Sequence, residues 1–140
     1  MFINPGDKAL KTLLKSSKTI AVVGLSPKPY RDSHQVAAYL QKQGYKVVPV
    51  YPEGDSILGE RVYRRLRDIP HRIDIVNVFR RSEEVMPIIE ESLALRPRAV
   101  WLQLGIVNEG AVEPCKKAGV GLIMDRCIML EHQRLLGDRP

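Results

Sequence analysis

Residues 19–24 read TIAVVG, an uninterrupted apolar run that ends in a glycine. A strand whose two faces are both covered by helices needs no alternation of polar and apolar side chains, so this run is typical of a buried parallel strand. Runs of similar length recur along the chain: KVVPVY at 46–51, IDIVNVF at 73–79, AVWLQL at 99–104 and VGLIMD at 120–125. We therefore expect a parallel sheet of about five strands.

Segments with helical periodicity separate these strands. We expect helices at residues 7–14, from Asp32 or Ser33 to Gly44, at 82–95, at 109–118 and at 127–136, with a short helical crossover at 61–66. Strands that alternate with helices at this spacing imply right-handed crossovers and helices on both faces of the sheet. The sequence predicts an α/β fold, a three-layer Rossmann-like doubly wound sheet, that occupies residues 1–140 as a single domain.

Prolines and short polar residues give more local expectations. Pro49 lies inside the second strand and lacks a backbone donor, so we expect either an irregularity or a prolyl nitrogen that points away from a neighbouring strand. Pro87 should lie in the opening turns of its helix. Asn108 is a candidate helix cap, and Asp32 with Gln35 matches the capping-box pattern.

The 140 residues carry 22 Lys and Arg against 16 Asp and Glu, a formal net charge of +6. Aromatic residues make up only 6% of the chain and are not interleaved with the basic ones, which argues against a nucleic-acid surface. No apolar run approaches the ~20 residues that span a bilayer, so we expect no membrane contact and a cytoplasmic location. The basic residues instead fall near the predicted strand ends, which favours a compact phosphate ligand.

In a doubly wound sheet, ligands bind beyond the carboxyl ends of the strands. The first strand ends at Gly24, and the loop that follows leads to a helix start whose backbone amides and dipole favour an anion. Polar side chains follow several strands at this edge: Lys28, Arg31, Arg80, Arg81, Gln103 and Arg126. The charged ones can contact phosphate or stack on adenine. The alternative is that they are solvated, or that one arginine pairs with Glu83 or Glu84.

The first loop departs from the dinucleotide-binding fingerprint. It lacks the second and third glycines of G-x-G-x-x-G, so the usual pyrophosphate turn is missing. The second strand ends in Tyr51 and Pro52, where a nicotinamide cofactor needs a carboxylate for its ribose, although Glu53 follows directly. NAD is therefore the weaker hypothesis.

The sequence contains no convincing catalytic or metal-binding set. Cys115 and Cys127 are too few for a disulfide framework, and we interpret both as small buried hydrophobes. Cys127 beside Asp125 and Arg126 is the one reactive-looking cluster, because a guanidinium favours the nucleophilic thiolate. The histidines are far apart, have no ligand spacing and are interpreted as surface or cap residues: His34, His71 and His132.

Six segments together resemble a known family. They are IAVVGLSPKP at 20–29, SHQVA at 33–37, ILGE at 57–60, DIVNVFRRS at 74–82, WLQLG at 101–105 and MDRC at 124–127. In combination they resemble the small stand-alone bacterial CoA-binding domain proteins. These proteins are similar to the amino-terminal CoA-binding domain of the succinyl-CoA synthetase α subunit.

The resemblance implies a domain that binds coenzyme A or an acyl-CoA through its ADP and phosphate portion. The residues that match the family's site are Gly24, Leu25, Ser26, Lys28, Ser33, Pro52, Phe79, Arg80, Arg81, Gln103 and Gly105. In the synthetase, catalysis needs a phosphorylated histidine on a further domain and a partner subunit. We therefore expect binding without catalysis, no catalytic or metal-binding residues, and no ligase activity.

Two alternatives remain open at this point. In the first, the chain is a small acyl-CoA-dependent or nucleotide-dependent enzyme that uses Cys127 as its nucleophile. In the second, the chain is a regulatory module whose site senses CoA while its surface contacts a protein partner. The sequence does not identify such a partner.

Overall fold

The computed structural model describes residues 1–137, and the last three residues of the predicted domain lie outside that range. The strands are β1 (Thr19–Val23), β2 (Lys46–Val50), β3 (Ser56–Ile57), β4 (Glu60–Arg61), β5 (Ile75–Val78), β6 (Ala99–Leu102) and β7 (Gly121–Ile123). The α-helices are α1 (Asp7–Ser16), α2 (Asp32–Lys42), α3 (Val85–Ala94), α4 (Val112–Ala118) and α5 (Ile128–Leu136).

The main sheet has five parallel strands in the order β2-β1-β5-β6-β7. The chain moves from β1 outward to β2, then returns to the other side of β1 and continues through β5, β6 and β7. The strand order therefore reverses between β1 and β5, which is where a doubly wound sheet forms its ligand crevice. The predicted α/β doubly wound fold is confirmed.

Alternate side chains of each strand enter two separate cores. Ile20 and Val22 of β1 lie in the core formed with α1, α2 and α5, whereas Ala21 and Val23 lie in the core formed with α3 and α4. Trp101, on the first of these faces, is fully buried, and its indole N–H donates to the carbonyl of Arg126 at 2.9 Å. Since both faces of the sheet are buried, an uninterrupted apolar run is the pattern that the fold requires.

Pro49 fits a regular edge strand. β2 keeps its parallel register with β1 through Pro49, which lies opposite Val22. The Pro49 carbonyl accepts from the Tyr63 amide at 3.0 Å on the outer side of the strand. The N and carbonyl of one strand residue point to the same side, so the prolyl nitrogen points away from β1. Of the two alternatives for Pro49, the second is correct.

The short helical crossover predicted at 61–66 is wrong. β3 and β4 instead form a small antiparallel hairpin, followed by an extended segment and a 3₁₀ turn at Leu66–Asp68. Leu58 and Gly59, the two residues between the strands, have φ of +54° and +75°, which is the left-handed pair that a tight hairpin turn demands. Tyr63 then bridges to Val50 and extends the edge of the main sheet.

The expected ends of α3 and α4 are confirmed with one refinement, a 3₁₀ turn ahead of each helix. The turn at Ser82–Glu84 precedes α3, so Pro87 is the third residue of the α-helix, where its missing N–H costs no hydrogen bond. The Asn108 side chain accepts from the Gly110 amide at 2.9 Å and caps the turn that leads into α4. No helix within residues 1–137 is long and apolar enough to cross a bilayer.

Asp74 joins strands at the amino edge of the sheet. Its Oδ2 accepts from the backbone amides of Lys18 at 2.8 Å and Thr19 at 3.0 Å, and its Oδ1 accepts from Arg72 and Arg98. Burial alone would raise the pKa of this carboxyl, but these hydrogen bonds together hold the pKa below its ordinary value. The ionised form of the Asp74 carboxyl therefore stabilises the folded state.

We expect Asp74→Asn to lower the free energy of unfolding by about 1.5–3 kcal/mol near neutral pH, because charge-assisted hydrogen bonds are lost. The folded-state pKa lies below the unfolded one, so this contribution is present above about pH 4 and disappears as the pH falls through the folded-state pKa. Urea denaturation of both proteins between pH 7 and pH 2.5 measures the difference. Asp55→Asn, at an exposed position, is the control, and a gap that stays constant with pH contradicts the assignment.

Candidate functional site

A cleft with two lobes lies at the carboxyl edge of the sheet, where the connections that follow β1 and β5 run in opposite directions. The small lobe has a volume of about 500 Å³ and is lined by Gly24, Ser26, Lys28, Arg31, Asp32, Ser33, Tyr51, Pro52, Phe79 and Arg80. The large lobe has a volume of about 630 Å³, and its lining includes Asp32, Val36, Phe79, Arg80, Arg81, Gln103, Leu104, Gly105, Ile106, Cys127, Met129 and Leu130. Asp32, Phe79 and Arg80 line both lobes, so the two lobes adjoin.

Gly24 sets the direction in which the chain leaves β1. Its φ is +85°, and a Cβ built at this position would lie 2.5 Å from the carbonyl oxygen of Phe79. The neighbouring atom is backbone and cannot rotate away, so no larger residue fits without moving the end of β5. The glycine thus allows the first loop to pass directly over the end of the neighbouring strand.

Hydrogen bonds to α2 fix the first loop. The Ser26 amide donates to Ser33 Oγ at 3.0 Å, and the Lys28 amide donates to Ser26 Oγ at 3.1 Å. His34 Nδ1 lies 2.9 Å from the Ser26 carbonyl, which can only accept, so the imidazole is the donor. His34 therefore holds the loop, a role that its interpretation as a surface or cap residue missed.

The amino end of α2 is open. The N-cap position is Arg31, which makes no side-chain cap hydrogen bond, and Asp32 is already the first helical residue. Gln35 donates to the Tyr30 carbonyl at 3.4 Å instead of reaching back to the helix start. The predicted capping box is wrong, and the amides of Asp32 and Ser33 are left without an acceptor among residues 1–137.

The cations around the cleft differ in how they are paired. Lys28 and Arg31 are exposed, and no carboxylate within residues 1–137 pairs with either one. Arg80 contacts Glu84 at 3.0 Å, and Arg81 contacts the same carboxylate at the longer distance of 3.8 Å. The small lobe is therefore positively charged, while Glu84 compensates much of the charge of the two arginines.

Gln103 has an amide orientation fixed by the fold. Its Oε1 accepts from Asn77 Nδ2 at 3.1 Å and from the Ile128 amide, the first of α5, at 2.9 Å. The two donors settle which end of the amide is oxygen, so Nε2 is the group left for the large lobe. Gly105 is held next to it, because its amide donates to Asp125 Oδ1 at 2.7 Å.

Cys127 is half-buried and lines the large lobe, whereas Cys115 is buried in the core as expected. The predicted cluster around Cys127 does not form a reactive set. Asp125 is committed to the Gly105 amide, and the Arg126 guanidinium lies 3.8 Å from Glu131. Cys127 is thus a cleft residue whose two preceding charged neighbours are engaged elsewhere.

The histidines do not line either lobe. His132 is buried, not on the surface, and its Nδ1 lies 2.7 Å from the hydroxyl of Tyr39, so its interpretation as a surface or cap residue is wrong. His71 is exposed. Within residues 1–137, no group of three or more His, Cys, Asp or Glu side chains is arranged to hold a metal ion.

Ten of the eleven predicted binding residues line the cleft. They are Gly24, Ser26, Lys28, Ser33 and Pro52 in the small lobe, Arg81, Gln103 and Gly105 in the large lobe, and Phe79 and Arg80 in both. Leu25 is the exception, because its side chain is fully buried in the core. Sequence reasoning missed the apolar wall of the large lobe, formed by Leu104, Ile106, Met129 and Leu130, although Leu104 adjoins the predicted Gln103.

The chain is similar to known proteins in its sequence and in its fold. A family model described as a CoA binding domain matches residues 18–133. The "Uncharacterized protein YneT" of Bacillus subtilis (strain 168) is 45% identical over 129 residues, which cover 92% of this chain and 96% of that protein. A solved structure from Thermus thermophilus has a TM-score of 0.90 and 42% identity, and the match covers 94% of this chain and 100% of that chain.

One relative is an enzyme of much greater length. The ADP-forming 4-hydroxybutyrate–CoA ligase of Nitrosopumilus maritimus is 30% identical over 78 residues, which cover 54% of this chain but only 11% of the ligase. The similarity therefore concerns one part of that enzyme.

We expect Gly24→Ala to destabilise the protein more than Gly54→Ala, which serves as the matched control. Both glycines have φ of +85°, but a Cβ at Gly54 meets no atom within 4 Å. The left-handed backbone should cost each variant about 1–2 kcal/mol. The contact with the Phe79 carbonyl should cost Gly24→Ala about 1–3 kcal/mol more. Thermal and urea unfolding measure both, and equal losses contradict the close approach.

Proposed function

Because this chain belongs to the CoA-binding domain family, we propose that it binds coenzyme A or an acyl-CoA in the two-lobed cleft and does so without catalysis of its own. The diphosphate of the ligand occupies the small lobe, and the pantetheine arm extends into the large lobe. The observation that carries this proposal is the uncapped start of α2 beside Lys28 and Arg31, two cations that have no carboxylate partner within residues 1–137.

The small lobe supplies the donors that a diphosphate needs. The first turn of a helix leaves backbone N–H groups without intrahelical acceptors, and the helix dipole favours negative charge at the same place. Lys28, Arg31 and Arg80 add charge around these amides, with Asp32 as the one acidic lining residue. This donor set fits a phosphate-rich nucleotide and supports the assignment of the ADP portion to the small lobe.

The end of β2 supports CoA over a nicotinamide dinucleotide. Tyr51 and Pro52 line the small lobe there, whereas Glu53, the nearest carboxylate in sequence, lines neither lobe. A site that holds an unmodified ribose in the manner of NAD-binding folds places an acidic side chain at this position. The small lobe instead offers the side chains of Tyr51 and Pro52 to the adenosine.

Binding without catalysis is supported by the chemistry of the lining residues. No histidine of residues 1–137 lines either lobe, and Arg126, next to Cys127 in sequence, is paired with Glu131 at 3.8 Å. Cys127 nevertheless lies inside the large lobe, and this one observation favours a second candidate, a thioester-forming enzyme. In that reaction the Cys127 sulfur would attack the acyl carbonyl, and the CoA thiol would leave with the proton from Cys127.

Mass spectrometry of the purified protein separates the two candidates. Under native conditions, simple binding gives a complex that is heavier than the protein by the mass of CoA or of an acyl-CoA. Denaturation releases this ligand. Thioester formation gives a covalent acyl adduct that survives denaturation after incubation with acetyl-CoA and is lost in Cys127→Ser. Calorimetry that detects no binding of CoA or its thioesters overturns the proposed function.

We expect Lys28→Ala and Arg80→Ala each to weaken CoA binding by about fivefold to tenfold, because each removes a charge-assisted contact to phosphate. The wild-type affinity should fall as salt rises from 50 to 500 mM, and the salt dependence should be shallower in both variants. Lys116→Ala is the control, since this residue lies in the last turn of α4, which runs back to the opposite edge of the sheet. Unchanged calorimetric affinity removes the side chain concerned from the site.

We expect Glu84→Gln to tighten CoA binding by about twofold to fivefold. In the wild type, Arg80 must give up its ion pair with Glu84 to contact the phosphate, and in the variant this ion pair is absent. The stability loss should stay below about 0.5 kcal/mol, as is usual for an exposed i,i+4 pair. Glu90→Gln, an exposed position of α3, controls for the change in net charge. Weaker binding of Glu84→Gln would mean that the Arg80–Glu84 pair holds the guanidinium in its binding position.

A further inference from the structure

The two lobes of the cleft differ in charge. In the small lobe, Lys28, Arg31 and Arg80 face a single acid, Asp32. In the large lobe, Arg80 and Arg81 are offset by Asp32 and Glu83, and Glu84 contacts both arginines from outside the lobe. The positive field is thus confined to the small lobe, and the large lobe offers no excess charge to an anionic group.

The large lobe has an apolar wall that remains exposed in the described part of the chain, residues 1–137. Leu104, just beyond the end of β6, is 65% exposed, and Leu130, in the first turn of α5, is 51% exposed. Ile106 and Met129 complete this wall, and both are half-buried. Large apolar side chains exposed together inside a concave surface are typical of a ligand-binding pocket, and the volume of about 630 Å³ lies within the ~300–1,000 Å³ range of such pockets.

A hydrogen-bond donor, Nε2 of Gln103, lies next to this apolar wall. Gln103 presents Nε2 to the large lobe because Asn77 and the Ile128 amide both occupy its Oε1. This Nε2 has no acceptor among residues 1–137, and such a donor complements a carbonyl oxygen. The lobe therefore combines a carbonyl-binding group with an uncharged apolar surface.

We propose that the large lobe is an acyl pocket, in which Gln103 Nε2 donates to the thioester carbonyl of a bound acyl-CoA and Leu104 and Leu130 contact an uncharged, unbranched acyl chain. This inference rests on the proposed function, and it makes an acyl-CoA, not free CoA, the preferred ligand. An apolar acyl chain covers the exposed leucines, whereas a free thiol leaves them in water.

A thioester series measured by calorimetry tests the apolar contact. We expect affinity to rise from acetyl-CoA to butyryl-CoA to hexanoyl-CoA, by up to about fourfold for each methylene that the lobe buries. Succinyl-CoA, which has the same chain length as butyryl-CoA but ends in a carboxylate, should bind more weakly than butyryl-CoA. A flat series, or a preference for succinyl-CoA, overturns the proposal.

A thioether tests the contact of Gln103 with the carbonyl. S-butyl-CoA retains the four-carbon chain but lacks the carbonyl oxygen, and we expect it to bind about twofold to tenfold more weakly than butyryl-CoA. Equal affinities of the thioether and the thioester overturn this contact.

Surface variants locate the chain. Leu104→Ser and Leu130→Ser should each reduce the gain in affinity between acetyl-CoA and hexanoyl-CoA, and this ratio is taken within one variant, so a general change in CoA affinity does not enter it. The exposure of both leucines makes misfolding no obstacle. Val107→Ser is the matched control, because this exposed valine lies close in sequence to Leu104 but does not line the lobe. A full gain in both leucine variants overturns the placement. A wild-type protein that binds neither free CoA nor any thioester would instead refute the proposed function itself.

Discussion

The close approach between Gly24 and the Phe79 carbonyl governs the carboxyl edge of the sheet. A Cβ would lie 2.5 Å from that oxygen, so the chain can leave β1 over the end of β5 only where no side chain is present. This exit brings Ser26 within hydrogen-bond reach of Ser33 and thereby positions the start of α2. Because the chain leaves β5 at this point of close approach to the first loop, Phe79 and Arg80 line both lobes.

The two edges of the sheet handle their polar groups in opposite ways. At the amino edge, Asp74 receives two backbone amides and two guanidinium groups, so charge and hydrogen bonds are satisfied within the protein. At the carboxyl edge, α2 begins without a side-chain cap, and Lys28 and Arg31 have no carboxylate partner within residues 1–137. Exposed groups without internal partners are hydrated and remain available to an anionic ligand. The contrast supports the proposed binding edge independently of any motif.

The sequence was sufficient for the sheet and most of the small lobe, and insufficient where a result depends on tertiary contacts. The buried strands were predictable because an apolar run has one stable place in a doubly wound fold. The β3–β4 hairpin was not, since strands of two residues carry no periodicity and only the Leu58-Gly59 turn marks them. Asp32 and Gln35 match a capping box by spacing alone, yet the helix begins one residue too early for that geometry. The apolar wall was missed because a leucine in sequence looks the same whether it faces the core or a cleft.

Asn77 is a buried polar residue beneath the cleft, and its hydrogen bonds orient Gln103. It is fully buried in β5, and its Oδ1 is a buried side-chain atom with no hydrogen-bond partner among the residues that the structure describes. An apolar residue at this strand position would avoid that cost, which is about 1–3 kcal/mol for an unpaired buried acceptor. What Asn77 supplies in return is its Nδ2, which holds Gln103 Oε1 inward beside the first amide of α5. The orientation of the Gln103 amide at the cleft is thus maintained at the expense of the core, and this exchange is consistent with the proposed donation from Gln103 Nε2 to a ligand.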